Sequence, residues 1–197
     1  MKRLKIIYIS NFRKKTVLVL AALLFWVLMF FTASHFAHND SEMNTSAKRL
    51  VEYSTYESIE GGFSFNYPST FTLIPRSFSG NEILYHIDFH DAAGPGYGFV
   101  QIWNMSMPME EFLEKSKEAS QLNYKYFSSR KMRVNGYTGY YWDYSVLGSN
   151  NTYYKGSEVF LEGKDQMYRI SYFMPEKQWN EAQNEIFTTM VKSFRKK

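Results

Sequence analysis

The chain has 197 residues, no cysteine, and 23 cations against 19 anions. Disulfides, cysteine nucleophiles and a cysteine-linked lipid anchor are therefore excluded. Six cations (Lys2, Arg3, Lys5, Arg13, Lys14 and Lys15) precede residue 16, and 17 cations against 19 anions remain beyond them. The basic balance thus describes a terminal tail and not a nucleic-acid surface, and nucleic acid is not an expected partner.

Residues 1–15 read as a short cytoplasmic tail. Thr16 to Ala33, TVLVLAALLFWVLMFFTA, is almost unbrokenly apolar. At about 1.5 Å of rise per residue, 18 residues reach roughly 27 Å, close to the hydrocarbon thickness of a bilayer. Residues 16–34 are accordingly expected to form a transmembrane signal-anchor, with the lipid bilayer as first partner. Cations resist translocation, so the N-terminus should stay in the cytoplasm and the C-terminal bulk should lie outside it. A cleaved signal peptide is the competing reading, but its apolar core usually spans only about 7–15 residues before a small-x-small site. Val17 to Phe31 alone fills that length, and Thr32-Ala33-Ser34 fits such a site poorly. Residues 35–52 are polar, lack alternation and suit a linker.

The remaining residues, 53–197, are enough for one domain around a single core. Ile83, Tyr85, Ile87 and Phe89 alternate on one side of a predicted strand. Further strands are expected over Tyr97 to Trp103, Tyr137 to Leu147, Tyr153 to Glu162 and Gln166 to Phe173. In the second of these, Tyr140, Trp142, Tyr144 and Val146 share a face. Asn135-Gly136 suits a type I′ hairpin turn and Gly163-Lys164-Asp165 a tight one, so consecutive strands should pair antiparallel. Pro108 to Gln121 predicts a helix with Ser106 as N-cap. A longer helix opening at Pro175 aligns Trp179, Ala182, Ile186, Phe187, Met190, Val191 and Phe194 along one stripe.

Chemistry-bearing patterns are few. His86-x-Asp88-x-His90 places two imidazoles and a carboxylate on the strand face opposite Ile87, about 6.6 Å between successive Cα atoms. Such a row suits a divalent metal with water in a fourth position, and equally suits a solvated or helix-covered polar face. Gly94-Pro95-Gly96-Tyr97-Gly98 leads into a strand, which fits a hairpin loop better than a phosphate cradle. No nucleophile-elbow serine occurs, and Glu110, Glu111 and Glu114 lie where carboxylates favour a helix N-terminus. Tyrosines off the core face, with Tyr141 and Tyr153 as candidates, offer a contact surface. Neither enzymatic activity nor a cofactor is expected. The function these features favour is a membrane-anchored extracytoplasmic binding or assembly module, with a membrane protein as one possible partner. The alternative is metal binding or metal-dependent catalysis at His86, Asp88 and His90.

Gly61-Gly62-Phe63-Ser64-Phe65-Asn66-Tyr67-Pro68-Ser69-Thr70-Phe71 resembles the opening strand of PsbP-like domains, in which glycine and alternating aromatics precede Tyr-Pro. Phe187 to Phe194 resembles the end of that family's last helix. The resemblance spans residues 54 to 195. It implies an α+β fold, an antiparallel β-sheet flanked by helices on both faces, and, for function, an assembly or docking module. The family's best-known members are extrinsic photosystem II subunits that help retain calcium and chloride. No functional residue carries over to this chain.

Overall fold

The structure, a computed structural model, describes residues 51–148 and 150–197. The expected membrane anchor and nearly all of the linker lie outside the described residues. Among the described residues no helix is long and apolar enough to cross a membrane.

Ten strands and two helices follow in chain order: β1 (Tyr53–Ser58), β2 (Phe63–Pro68), β3 (Phe71–Arg76), β4 (Ile83–Asp91), β5 (Tyr97–Asn104), α1 (Met109–Ala119), β6 (Tyr124–Val134), β7 (Tyr137–Leu147), β8 (Tyr153–Glu162), β9 (Gln166–Pro175), α2 (Glu181–Ser193) and β10 (Arg195–Lys196). Seven strands form one sheet in the order β3-β4-β5-β9-β8-β7-β6, and β1-β2-β10 form a second. Every pairing is antiparallel. The β6–β7 hairpin closes through Asn135 at φ 51° and Gly136 at φ 84°. Positive φ at both central residues is what a type I′ turn requires, and Asn-Gly supplies it at little steric cost.

Alternation along the large sheet sorts its side chains into two clusters. Ile87, Phe89, Val100, Ile102, Val159, Leu161, Tyr168, Ile170 and Tyr172 pack with Ile186, Phe187, Met190 and Val191 of α2 and with Phe63 and Phe65 of the small sheet. Phe99, Trp103, Trp142, Tyr144, Val146, Phe160, Met167 and Phe173 form the other cluster, with Met109 and Leu113 of α1. The interdigitation is mainly aromatic. Phe63 and Phe194 stack at 5.6 Å and Trp142 meets Phe160 edge-on at 4.8 Å, geometries that add to the gain from buried area.

Several expectations need correction. A register shift between Ile83 and Tyr85 turns Ile83 to the α1-side cluster, away from Tyr85 and Ile87. A bulge inserts one residue and so reverses the alternation locally. Pro175 ends β9 and does not open a helix; a 3-10 turn at Glu176–Gln178 follows. Helix α2 starts later because the Asn180 side chain accepts from the N–H groups of Ala182 and Gln183, satisfying two otherwise orphaned donors. Helix α1 is preceded by Pro108 with no side-chain cap, so Ser106 does not serve as N-cap. The aromatic opening segment is split at Ser69-Thr70 into β2 and β3, which belong to different sheets. Strands β1, β6 and β10 carry no clear alternation and were not expected.

Candidate functional site

On the α1 side of the sheet, polar residues line up across four strands. Arg76 stands opposite His86, His86 opposite Gln101, and Gln101 opposite Arg169. Next to this row, Phe99 faces Ser171 and Ser171 faces Glu158. By alternation alone this face would be solvated. His86 is 1% exposed and Glu158 0%, so both must find partners inside the protein.

The first row forms a directed chain of hydrogen bonds. Trp103 Nε1 donates to Gln101 Oε1 at 2.8 Å, and Gln101 Nε2 lies 2.9 Å from His86 Nδ1. His86 Nε2 lies 2.6 Å from Asp88 Oδ1, and Arg76 Nε donates to Asp88 Oδ2. An indole can only donate, so the Gln101 carbonyl must face Trp103 and its amide nitrogen must face His86. Nδ1 of His86 is then an acceptor, and the ring proton sits on Nε2, donated to Asp88. Phe99 stacks on the ring at 5.4 Å and Phe78 meets it edge-on at 5.0 Å. Burial pushes the Asp88 carboxyl up, but the hydrogen bond from His86 and the hydrogen bond and charge of Arg76 outweigh it and hold the group below its ordinary value.

The second arrangement centres on Glu158. Its carboxylate accepts from Tyr144 Oη at 2.6 Å, from Arg169 Nε at 2.7 Å and from Ser171 Oγ, with Arg169 Nη2 at 2.6 Å. The Arg169 guanidinium lies 4.9 Å from the Phe99 ring centre and 5.4 Å from that of Phe160. Burial, then the neighbouring Glu158 charge, pushes the Tyr144 hydroxyl well above its usual value, which keeps it a neutral donor. A cleft of about 180 Å³ opens beside Trp103, Asn81, Glu82, Asn104 and Phe112; neither His86 nor Glu158 lines it.

His86, Asp88 and His90 do share one face, as alternation requires, but they do not form a chelating group. Both ring nitrogens of His86 and both oxygens of Asp88 are engaged in hydrogen bonds, and His90 sits four residues along the strand from His86. Among the described residues no three His, Asp or Glu side chains come together to hold a metal ion. His86 is a buried core residue and not part of a solvated face, because Phe78 and Phe99 cover it.

Tyr141 on β7 and Tyr153 on β8 each lie under a cation of β6. Tyr141 is half-buried against Phe187, donates to or accepts from Ser157 Oγ at 3.0 Å, and carries the Arg130 guanidinium 4.4 Å over its ring. Tyr153 is 39% exposed, with Lys125 Nζ 5.1 Å over its ring. Lys131 lies 5.7 Å from the centre of Tyr140, Lys117 lies 4.4 Å from Tyr124, and Lys155 lies 4.9 Å from Tyr126. Cations held over aromatic faces gain from the ring quadrupole. Sequence reasoning named the two tyrosines and missed the strand that supplies their cations. Its signal was Asn135-Gly136, since a type I′ turn needs a strand on either side.

No family model matches the chain, and no curated protein does. Solved structures do resemble it. Cyanobacterial PsbP (CyanoP) from Synechocystis sp. PCC 6803 is 16% identical, with a TM-score of 0.54 over 79% of this chain and 98% of that one. A protein from Bacteroides thetaiotaomicron VPI-5482 is 13% identical, with a TM-score of 0.52 over 73% of this chain. The chain spans about half the length of that second protein, 48%. The resemblance to PsbP therefore holds at the level of the fold, a β-rich antiparallel domain with two helices.

Proposed function

We propose that this protein is a non-enzymatic docking module of PsbP-like kind, tethered by residues 16–34 to a cell membrane with its domain outside the cytoplasm. In the same reading α1 and α2 are the outer layers of an α/β/α sandwich. One observation carries the functional part. The groups on the sheet able to do chemistry are buried and committed to one another, while the aromatic-backed cations of β6 stand at the surface. General acid–base or nucleophilic work needs a group that can reach a substrate, and Glu158 and His86 are enclosed. A partner surface needs exposed aromatic and cationic groups, and the β6 margin supplies them.

Two measurements test this. Protease added outside intact cells, with any outer membrane permeabilised, should digest the domain and spare the N-terminus; protection of the domain overturns the orientation. A photo-crosslinking residue at position 126, in full-length protein in native membranes, should give a discrete adduct with a second protein. The same residue at position 59, which is 94% exposed and lies in the turn between β1 and β2 of the small sheet, should not. Equal labelling from both positions overturns the docking surface. The metal reading of His86, Asp88 and His90 demands a stoichiometric divalent ion in the purified protein, lost in a His86→Ala, His90→Ala double variant. Elemental analysis decides that alternative.

A further inference from the structure

We propose that β6 is a docking edge that accepts an extended acidic segment of a partner protein as an additional antiparallel strand. This rests on the docking-module reading and names the partner's chemistry. Strand β6 ends the large sheet, and among the described residues only β7 pairs with it. Every second residue of such a strand therefore directs its N–H and C=O away from the sheet. After the irregularity between Tyr124 and Tyr126, the register with β7 runs unbroken to Val134. Residues 126–134 thus present a continuous, proline-free edge.

The opposite margin, β3, differs in each respect. It has six residues, includes Pro75, which has no N–H to offer, and carries one cation, Arg76, already bound to Asp88. Strand β6 has eleven residues, four cations (Lys125, Arg130, Lys131 and Arg133) and no anion, in a chain that is otherwise slightly acidic beyond its N-terminal tail. All four cationic residues are exposed. Arg130 pairs across from Tyr141 while Lys131 and Arg133 pair across from Tyr140 and Thr138, so cations project from both faces of the strand. A complementary segment therefore carries carboxylates at adjacent as well as alternate positions, each within reach of a directly opposed cation.

The same charges identify the occupant. A second copy paired through β6 would gather eight cations, four from each copy, and no anion along one seam, which is destabilising, so self-pairing is disfavoured. Two of the four cations already have anionic partners at the surface: Lys131 lies 3.6 Å from Glu110, both side chains more than half exposed, and Lys125, itself about half exposed, lies 2.8 Å from Glu176. Such a contact is worth little and is easily exchanged. Strand addition then supplies main-chain hydrogen bonds for affinity and the basic side chains for selection.

The test uses full-length protein in detergent micelles and a fluorescent ten-residue peptide in which Asp and Glu are interspersed with Val and Thr. Binding is expected, with slowed amide exchange confined to residues 126–133, and a peptide with Lys for each acid should bind at least tenfold more weakly. Arg130→Glu with Lys131→Glu should weaken the acidic peptide at least tenfold and admit the lysine peptide. N-methylation at alternate peptide positions should abolish binding in one phase and spare it in the other, since only one set of N–H groups faces β6. Equal tolerance of both phases, or no peptide binding, overturns strand addition. Binding of phosphatidylglycerol vesicles in place of the peptide assigns the edge to a lipid surface and also overturns the proposal. A position-126 adduct persisting while the peptide fails leaves the docking module standing and removes only this partner class.

Discussion

The two faces of the large sheet are built from alternate residues of the same strands, yet they are held by different forces. Toward α2, β9 offers Tyr168, Ile170 and Tyr172 and β8 offers Val159 and Leu161, and the contacts are apolar and aromatic. Toward α1, the intervening residues include Arg169, Ser171, Glu158 and Gln101, all buried. The first face gains by removing apolar area from water. The second must offset the cost of desolvating charges with hydrogen bonds in good geometry, so it depends on every partner being present. A period of two thus assigns residues to a face and leaves open whether that face is wet.

A matched pair of truncations gives the largest expected effects. Glu158→Ala leaves the Arg169 guanidinium buried without its carboxylate and strips Tyr144 and Ser171 of an acceptor, so stability should fall by about 3–5 kcal/mol. Phe187→Ala on the other face should cost about 3–5 kcal/mol through lost transfer energy and a cavity. Chemical denaturation followed by near-ultraviolet circular dichroism measures both. The faces separate on rescue. Glu158→Leu combined with Arg169→Met should recover part of that loss and stop short of the wild-type value, because the buried charges are gone while Tyr144 and Ser171 still lack an acceptor. If the double variant is as unstable as Glu158→Ala, the ion pair is not what holds that face.

Gln101→Leu should have a middling effect. It leaves the Trp103 indole N–H and His86 Nδ1 without the amide that joins them, at about 1–3 kcal/mol. Trp103 fluorescence should shift with it, whereas Ile102→Val on the opposite face should leave that emission unchanged. The smallest effect is a pH dependence. Asp88 is held below its ordinary pKa in the fold, so its contribution is complete above the usual carboxylate range and is lost as pH falls through the folded value. Wild-type stability should therefore drop more steeply than that of Asp88→Asn as pH falls from about 6 to about 3. Parallel slopes would show that Asp88 is not engaged by His86 and Arg76.

Much of this arrangement is legible in the sequence, for identifiable reasons. Tyr140, Trp142, Tyr144 and Val146 alternate as read, and all four pack on one side of β7 because side-chain direction in a strand is a property of the local backbone. Asn135-Gly136 forms its turn because two positive φ angles are cheap there and costly for most residues. The resemblance of the opening and closing segments to PsbP-like domains pointed to the fold that the cyanobacterial protein shares. Strand β6 escaped notice because only Tyr124, Phe127, Met132 and Val134 of its eleven residues are half-buried, and their spacing keeps no single period. The Ile83 reversal escaped too, since a bulge leaves no mark in composition.

Among the described residues, the sequence by itself determined the strand alternation, the hairpin turn and the apolar stripe of α2, because each depends on residues within a few positions of one another. Tertiary structure alone decided that His86 and Glu158 are buried, that a chain of hydrogen bonds joins Trp103 to Arg76, and that four cations end up along one free edge. Those outcomes depend on neighbours brought from distant strands, here β3, β4, β5, β8 and β9, and only the pairing order of the sheet sets which polar group meets which.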